Sequence, residues 1–282
     1  MLAREGCRGL GDSRHPGPAG VGAAHYRDGV TDPTRGVLYP ERLPRFTRLE
    51  PEAAASDLVQ WFWIPQWDLP DGVVSRQPVL GYPAANLAVE PDGVTLWGAT
   101  TRASARELRG NGWAVGALLK PAAYARLHEA PGDLVDAHIA LDEPALQRAV
   151  SDAMPDLDAA AAAVAVWLEE RVGRLTSDAR LANAMADLLM TDASILRLDD
   201  AAERLRVSVR TLQRLAHRTV GLPPAAVIRR RRLQEAAQRV RDDPDAPLAD
   251  IAAGLGYADQ AHLANDFRTV LGFTATDYRS DR

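Results

Sequence analysis

The spacing of apolar and polar positions changes along this chain, and each change marks a different kind of structure. Between residues 37 and 143 they alternate in short runs: VQWFWIPQWDL at 59–69, NLAVE at 86–90, VTLWGATT at 94–101 and WAVGALL at 113–119. A period of two describes strands with one buried face. Pro-Asp-Gly at 91–93 and Asn-Gly at 111–112 read as the turns between them. Five of the six tryptophans fall between Trp61 and Trp113, which supplies the core of a β-rich, sandwich- or barrel-like domain over 37–143. An aromatic-lined ligand pocket fits the same pattern.

From Pro144 to Met190 the period becomes 3.6, in ALQRAVSDA, LDAAAAAVAVWLEERVGRL and SDARLANAMADLLM. These segments predict a helical linker over 144–190, with Ser177 capping the third helix. Its alanine-rich faces suit a helical hairpin or a dimer contact. Residues 1–36 are rich in Gly, Pro and Arg, show no period, and read as a disordered tail. No apolar run approaches the 18 or so residues of a membrane span, and no apolar h-region opens the sequence. A soluble, cytoplasmic α+β protein is expected.

The last segment, 191–282, is all-helical in pattern and contains the same unit twice. Residues 200–222 read DAAERLRVSVRTLQRLAHRTVGL, and residues 250–273 read DIAAGLGYADQAHLANDFRTVLGF. In the first, Asp199 or Asp200 caps a short helix whose inner face is Ala201, Ala202 and Leu205. After a turn at Arg206–Val207, Ser208 caps a second helix that turns Leu212, Leu215 and Val220 inward, and Gly221 stops it. In the second, Ile251, Ala252 and Leu255 face inward and Gly256 makes the turn. Asp259 then caps a helix with Leu263, Phe267 and Leu271 inside. Each copy is a helix-turn-helix. The faces left outside carry Arg210, Thr211, Gln213, Arg214, His217 and Arg218 in the first copy, and Gln260, His262, Asn265 and Arg268 in the second. Such donor-rich side chains can reach base edges and phosphates.

Between the copies runs PPAAVIRRRRLQEAAQRVRDDP. Pro223 and Pro224 suit a helix start and Pro244 follows its end, which predicts a helix over 224–241. At 1.5 Å per residue such a rod is about 27 Å long. Successive major-groove faces on one side of B-DNA lie about 34–36 Å apart, so a rod of that length plus its flanking units can set two reading helices in adjacent grooves. Within the rod, Arg229, Arg230 and Arg231 are read as either solvating its surface or contacting DNA, and Arg232 as packing or pairing within the domain.

Charge divides the same way. Residues 1–190 hold 18 basic and 25 acidic side chains, and residues 191–282 hold 15 and 13, so the overall −5 splits into −7 and +2. All 15 basic residues of the last segment are arginines, the type suited to phosphate and guanine. Enzyme chemistry finds no footing. The six histidines are scattered, and His128 and His138 beside Asp133 and Asp136 read as a strand-and-loop surface rather than a metal site. Cys7 is the one cysteine, which excludes a disulfide framework. No catalytic, metal or cofactor residue is proposed.

Residues 195–279, through RTLQRL, RRLQEA, IAAGLGYADQAHLANDF and GFTATDYR, resemble the AraC/XylS-type DNA-binding module. The stretch from GVLYPE to ALLKPAAYARL is similar to an uncharacterised domain that precedes such modules. The resemblance implies a seven-helix domain with two helix-turn-helix units, and a sequence-specific transcription regulator. The implied DNA-contact residues are Ser208, Arg210, Thr211, Gln213, Arg214, His217 and Arg218 with Asp259, Gln260, His262, Asn265 and Arg268. Promoter or operator DNA is the expected partner; a small effector at the β-rich domain, RNA polymerase and a second copy of the chain are further candidates. Asn265 stands where the family usually has Arg, and Ala216 where it has Phe. A ligand- or partner-binding protein whose helix-turn-helix pair no longer reads DNA is the alternative.

Overall fold

The alternation at 59–69 folds as a strand with two unlike faces, β2 (Val59–Asp68). Phe62 and Ile64 join one apolar core, and Trp61 and Trp63 join another. This computed structural model describes residues 45–280, so the expected tail at 1–36 lies outside the described residues. Strands β1 (Arg45–Leu49), β2, β4 (Asn86–Glu90), β5 (Gly93–Trp97), β7 (Asn111–Trp113), β8 (Val115–Leu119) and β9 (His138–Leu141) form one antiparallel sheet. Its order is β1-β2-β8-β4-β5-β9, with β7 beside β2. Strands β3 (Val74–Val79) and β6 (Ser104–Arg109) pair as a separate ribbon, tied to the sheet where Arg106 meets Glu90.

The expected strands form a sheet-rich region, and helices cover its sheet. On the Phe62–Ile64 face lie Leu87, Val89, Val115 and Ala117, packed against α2 (Pro144–Ala153) and α3 (Leu157–Val172). These two helices form the hairpin that their small residues suggested, with Ala160 and Ala161 buried, and the hairpin sits on the sheet of its own chain. The opposite face, through Trp61 and Leu118, meets helices from the C-terminal segment. Strand β8 is therefore buried at all five positions, since each of its faces has a cover.

Some local expectations shift. Asn111 and Gly112 lie inside β7, and the turn glycine is Gly110, at φ +54°. Gly112 serves a close approach instead: it faces Trp67 across the pair, and a Cβ there would lie 2.4 Å from the indole. Gly116 plays the same part under Trp63, where a Cβ would lie 2.0 Å from the ring. The strand region also holds a helix, α1 (Pro121–Leu127), started by Pro121, and a 3-10 turn at Pro131–Leu134. Helix α4 (Ser177–Thr191) is capped by Thr176, whose hydroxyl accepts from the Ala179 amide at 3.2 Å, so Ser177 is its first residue and not its cap.

The C-terminal segment is wholly helical: α5 (Leu198–Leu205), α6 (Val209–Thr219), α7 (Pro224–Asp242), α8 (Leu248–Gly254), α9 (Gln260–Leu271) and α10 (Ala275–Ser280). Helix α4 packs against α5, α6 and α7, which brings the helices of this end to seven. The first unit shares its core with the sheet, since Leu212, Leu215 and Ala216 cluster with Trp61, Tyr82 and Leu118. A second cluster holds Leu233, Ala237, Ile251, Leu263, Phe267 and Tyr278, and takes Leu80 in from the β-rich region.

Candidate nucleic-acid interface

Helix α6 begins where the sequence marks it. Ser208 is the N-cap, its Oγ accepting from the Thr211 amide at 3.1 Å and lying 2.8 Å from the Thr211 hydroxyl. The inner residues Leu212, Leu215 and Val220 are buried. That leaves Arg210, Gln213, Arg214, His217 and Arg218 exposed at three- and four-residue steps, which is one stripe along the helix. Thr211 is half-buried and Ser208 exposed, and both use their hydroxyls on the helix start. At the opening of α5 the expected aspartate cap is moved: Arg197 holds the cap position. Asp200 reaches back instead, accepting from the Arg197 amide at 2.9 Å and the Leu196 amide at 3.2 Å.

The second unit repeats the plan. Asp259 caps α9, accepting from the His262 amide at 2.7 Å. Leu263, Phe267 and Leu271 point inward, while Gln260, His262, Asn265 and Arg268 are exposed. The His262 ring stands edge-on to Tyr257 at 5.3 Å. Arg268, in the last turn of α9, lies near Asp277. The Thr274 hydroxyl and amide hold the Asp277 carboxyl below its ordinary range, and Arg268 adds to the effect. All the candidate residues thus lie on the outer sides of α6 and α9 or at their caps, in two separate groups. The turns differ chemically. Gly256 takes φ +73° in the second copy, and the matching Arg206 is forced to φ +56° in the first.

The rod α7 separates four adjacent arginines by direction. Arg229 is exposed. Arg230 is only 4% exposed and donates Nη2 to the Thr100 carbonyl at 2.9 Å and Nη1 to the Gly81 carbonyl at 3.3 Å. Burial lowers its pKa to about 10, with Asp136 opposing the shift and Arg229 adding to it. Arg231 is buried and donates to the Asp192 carbonyl and, at 2.6 Å, to the Ile195 carbonyl. Arg232 lies 3.9 Å over the Tyr257 ring, an internal packing that the sequence anticipated. Surface solvation therefore describes Arg229 alone of the first three. A helical reading had the signal for this: Arg230, Arg231 and Gln234 sit three, four and seven residues after Val227, on its buried stripe.

Other candidate groups are spent elsewhere. Asp136 accepts from the Thr101 amide at 2.7 Å, His138 stacks on Trp97 at 4.1 Å, and His128 stacks on Tyr124. Burial raises the Tyr124 hydroxyl to about 12, and it donates to the Pro131 carbonyl at 3.1 Å. A small apolar cavity of about 20 Å³ lies where the sheet meets α4, the end of α6 and the start of α7. Leu118, Met185, Met190, Val220 and Val227 line it, with Lys120 at its edge. That is room for roughly one water. Among the described residues, no helix is long and apolar enough to cross a membrane.

Residues 201–281 match the family described as a helix-turn-helix domain, and residues 47–140 match a domain of unknown function, DUF6597. The C-terminal segment is thus similar to helix-turn-helix domains, including those of AraC-like regulators. The chain is 33% identical over 123 residues to a putative AraC-like transcription regulator of Streptomyces lividans, covering 44% of this chain and 38% of that protein. It is 32% identical over 110 residues to the HTH-type transcriptional activator RhaS of Escherichia fergusonii, 39% of each. The matched part is therefore about two fifths of those relatives' length. Among solved structures, the C-terminal domain of AraT, a response regulator from Geobacillus stearothermophilus, overlays with a TM-score of 0.34. Identity is 25%, over 39% of this chain and 89% of that one. ToxT from Vibrio cholerae overlays with a TM-score of 0.41 at 11% identity, over 78% of this chain and 98% of that one.

Proposed function

We propose that this chain is a sequence-specific DNA-binding transcription regulator of the cytoplasm. In this reading α6 and α9 each enter a major-groove segment, and the two segments are adjacent on the duplex. The observation that carries it is the pair of exposed donor stripes, Arg210 to Arg218 and Gln260 to Arg268, each on the second helix of a helix-turn-helix whose inner face is buried. Arginine and glutamine at such positions can pair bidentately with guanine and adenine edges. Ser208 and Asp259 act at the helix starts, accepting from the Thr211 and His262 amides, and the Thr211 hydroxyl lies beside that of Ser208. The β-rich region is read as the sensor of a small effector, with RNA polymerase and a second copy of the chain as its candidate protein partners.

The test is selection of duplexes from a random library by the full chain, followed by titration at two salt concentrations. A regulator of this type selects a two-part site, and its log affinity falls by about 0.9 per decade of salt for each phosphate it neutralises. Arg210→Ala and Gln260→Ala each lose about 1–3 kcal/mol of discrimination, at separate positions of that site. Recovery of no preferred sequence, with a response flat in salt, would move the chain to the alternative of a ligand- or partner-binding protein.

A further inference from the structure

Two helix-turn-helix units on one rod need their relative angle fixed before they can read adjacent grooves, and the units touch each other little. Leu196, just ahead of α5, lies against Gly256 in the turn of the second unit. Helix α7 holds each unit through an arginine, Arg231 donating to the Asp192 and Ile195 carbonyls just ahead of α5 and Arg232 lying over the Tyr257 ring of the second unit, while its apolar contacts are non-directional. Further directional contacts, which tie the rod and the second unit to one common support, come from the β-rich region. Its two loops, at 80–82 and 99–103, reach the middle of the rod and the end of α9.

Arg230 and Gln234 make the first of these contacts. The planar Arg230 fork donates to Gly81 and Thr100, one carbonyl on each loop, and Gln234, itself 2% exposed, donates to the Leu80 carbonyl at 3.2 Å. The Leu80 side chain is buried within the core of the second unit. The second contact is backbone to backbone: the Ala103 amide donates to the Val270 carbonyl at 2.7 Å. That carbonyl belongs to the last turn of α9, where the helix itself supplies no donor. The loop carrying Thr100 and Ala103 is braced in turn. Thr101 donates from its amide and hydroxyl to the Asp136 carboxylate, and the Asp136 amide donates to Ala99 at 3.0 Å. A few residues earlier, Pro131 and Gly132 press on Gly221, just past the end of α6, where a Cβ would lie 2.6 Å from the Pro131 carbonyl. One rim of the β-rich region therefore touches the ends of both outer helices and the rod between them, and leaves their exposed stripes open.

We infer that Arg230 and Gln234 are positioning residues for DNA reading: they seat the rod on the sheet rim, and the rim, acting as a jig, sets the angle between α6 and α9. This rests on the DNA-reading function proposed above. A planar guanidinium gripping two carbonyls fixes direction as well as distance. A buried cation whose hydrogen bonds go to neutral carbonyls, with Asp136 acting on it only through its charge, contributes little net stability, so orientation is the role that accounts for it. The docked rim is the reading state, because nothing in it covers Arg210, Arg214, Gln260 or Asn265.

The experiment measures affinity of the full chain for duplexes that the wild type selects from a random library, remade with one or two base pairs added or removed between the two recognised segments. One base pair turns the second segment by about 35°. Wild type is expected to lose about tenfold in affinity per base-pair change, comparable to one mismatched pair. Arg230→Lys keeps the charge and loses the fork, and Arg230→Ala with Gln234→Ala loses both; each should bind the native spacing more weakly while tolerating altered spacings to within about threefold. A merely structural role would weaken every spacing by the same factor and leave the profile's width unchanged, which would overturn the inference. Circular dichroism melts establish that each variant is folded at the assay temperature. If the Arg230 variants are not, Thr101→Val, which loosens the loop brace without touching α7, decides on the same profile. Failure of the wild type to select any two-part site would sink the DNA-reading proposal itself, and this inference with it.

Discussion

Gly221 and Gly272 occupy equivalent places in the two units, each just beyond its outer helix, and each adopts the left-handed backbone, at φ +82° and +83°. Their surroundings differ. A Cβ on Gly272 would meet nothing within 4 Å, whereas a Cβ on Gly221 would lie 2.6 Å from the Pro131 carbonyl and 2.8 Å from its carbon. Alanine at Gly272 should therefore cost the conformational strain alone, about 1–2 kcal/mol. Alanine at Gly221 should cost that strain plus the displacement of the Pro131 backbone, a further ~1–3 kcal/mol of the size seen on overfilling a packed site. The difference between the two variants isolates the contact between the sheet rim and the first unit. Urea unfolding, followed both by helical circular dichroism and by tryptophan emission, provides the assay. Five of the six tryptophans lie in the β-rich region, so emission reports the sheet while dichroism reports the helices. The two probes should give coincident transitions in wild type, because the first unit and the sheet share one core. Equal destabilisation by the two alanines, or a sheet transition untouched by Gly221→Ala, would refute the reasoning.

Removing either cap, by Ser208→Ala or Asp259→Ala, should cost about 1 kcal/mol, read as a drop of ~2–4 °C in thermal midpoint. Arg206→Gly gives the first turn the residue that the second turn already has, and relief of its left-handed strain should raise stability by about 0.5–1 kcal/mol after the entropy of glycine is counted. The carboxyls of Asp192 and Asp277 sit below their ordinary range, held there first by hydrogen bonds from Ser194 and Thr274. Because the native pKa is the lower one, their contribution is complete above the unfolded value of about 3.9 and is lost as pH falls through the native value. Asp192→Asn or Asp277→Asn should consequently flatten the fall in melting temperature below about pH 4 and leave its slope near neutrality unchanged.

Much of the site was legible because it depends on neighbours a few residues apart. Ser208 and Asp259 cap the helices that their positions predict, and the rod runs from Pro224 to Asp242 against an expected 224–241. The exposed stripes follow from the 3.6-residue period once Leu212, Leu215, Leu263 and Phe267 are taken as the inside. Errors arose where two local signals competed. Asn111–Gly112 has turn chemistry, yet Gly112 is needed under Trp67, and the turn moves to Gly110. Asp200 reads as a cap from the N-terminal side, and it acts as one from inside the first turn.

The sequence by itself determined the alternating strands, the duplicated units and the side of each outer helix that turns away from its core, since those are consequences of backbone period and of side chains within one helical turn. Tertiary structure decided which of three consecutive arginines stays in water, and that helices cover the strands. The partners of Arg230 and Gln234 are 149 and 154 residues away. A helix period can say that a side chain points inward, but only the folded chain brings up the carbonyls that receive it.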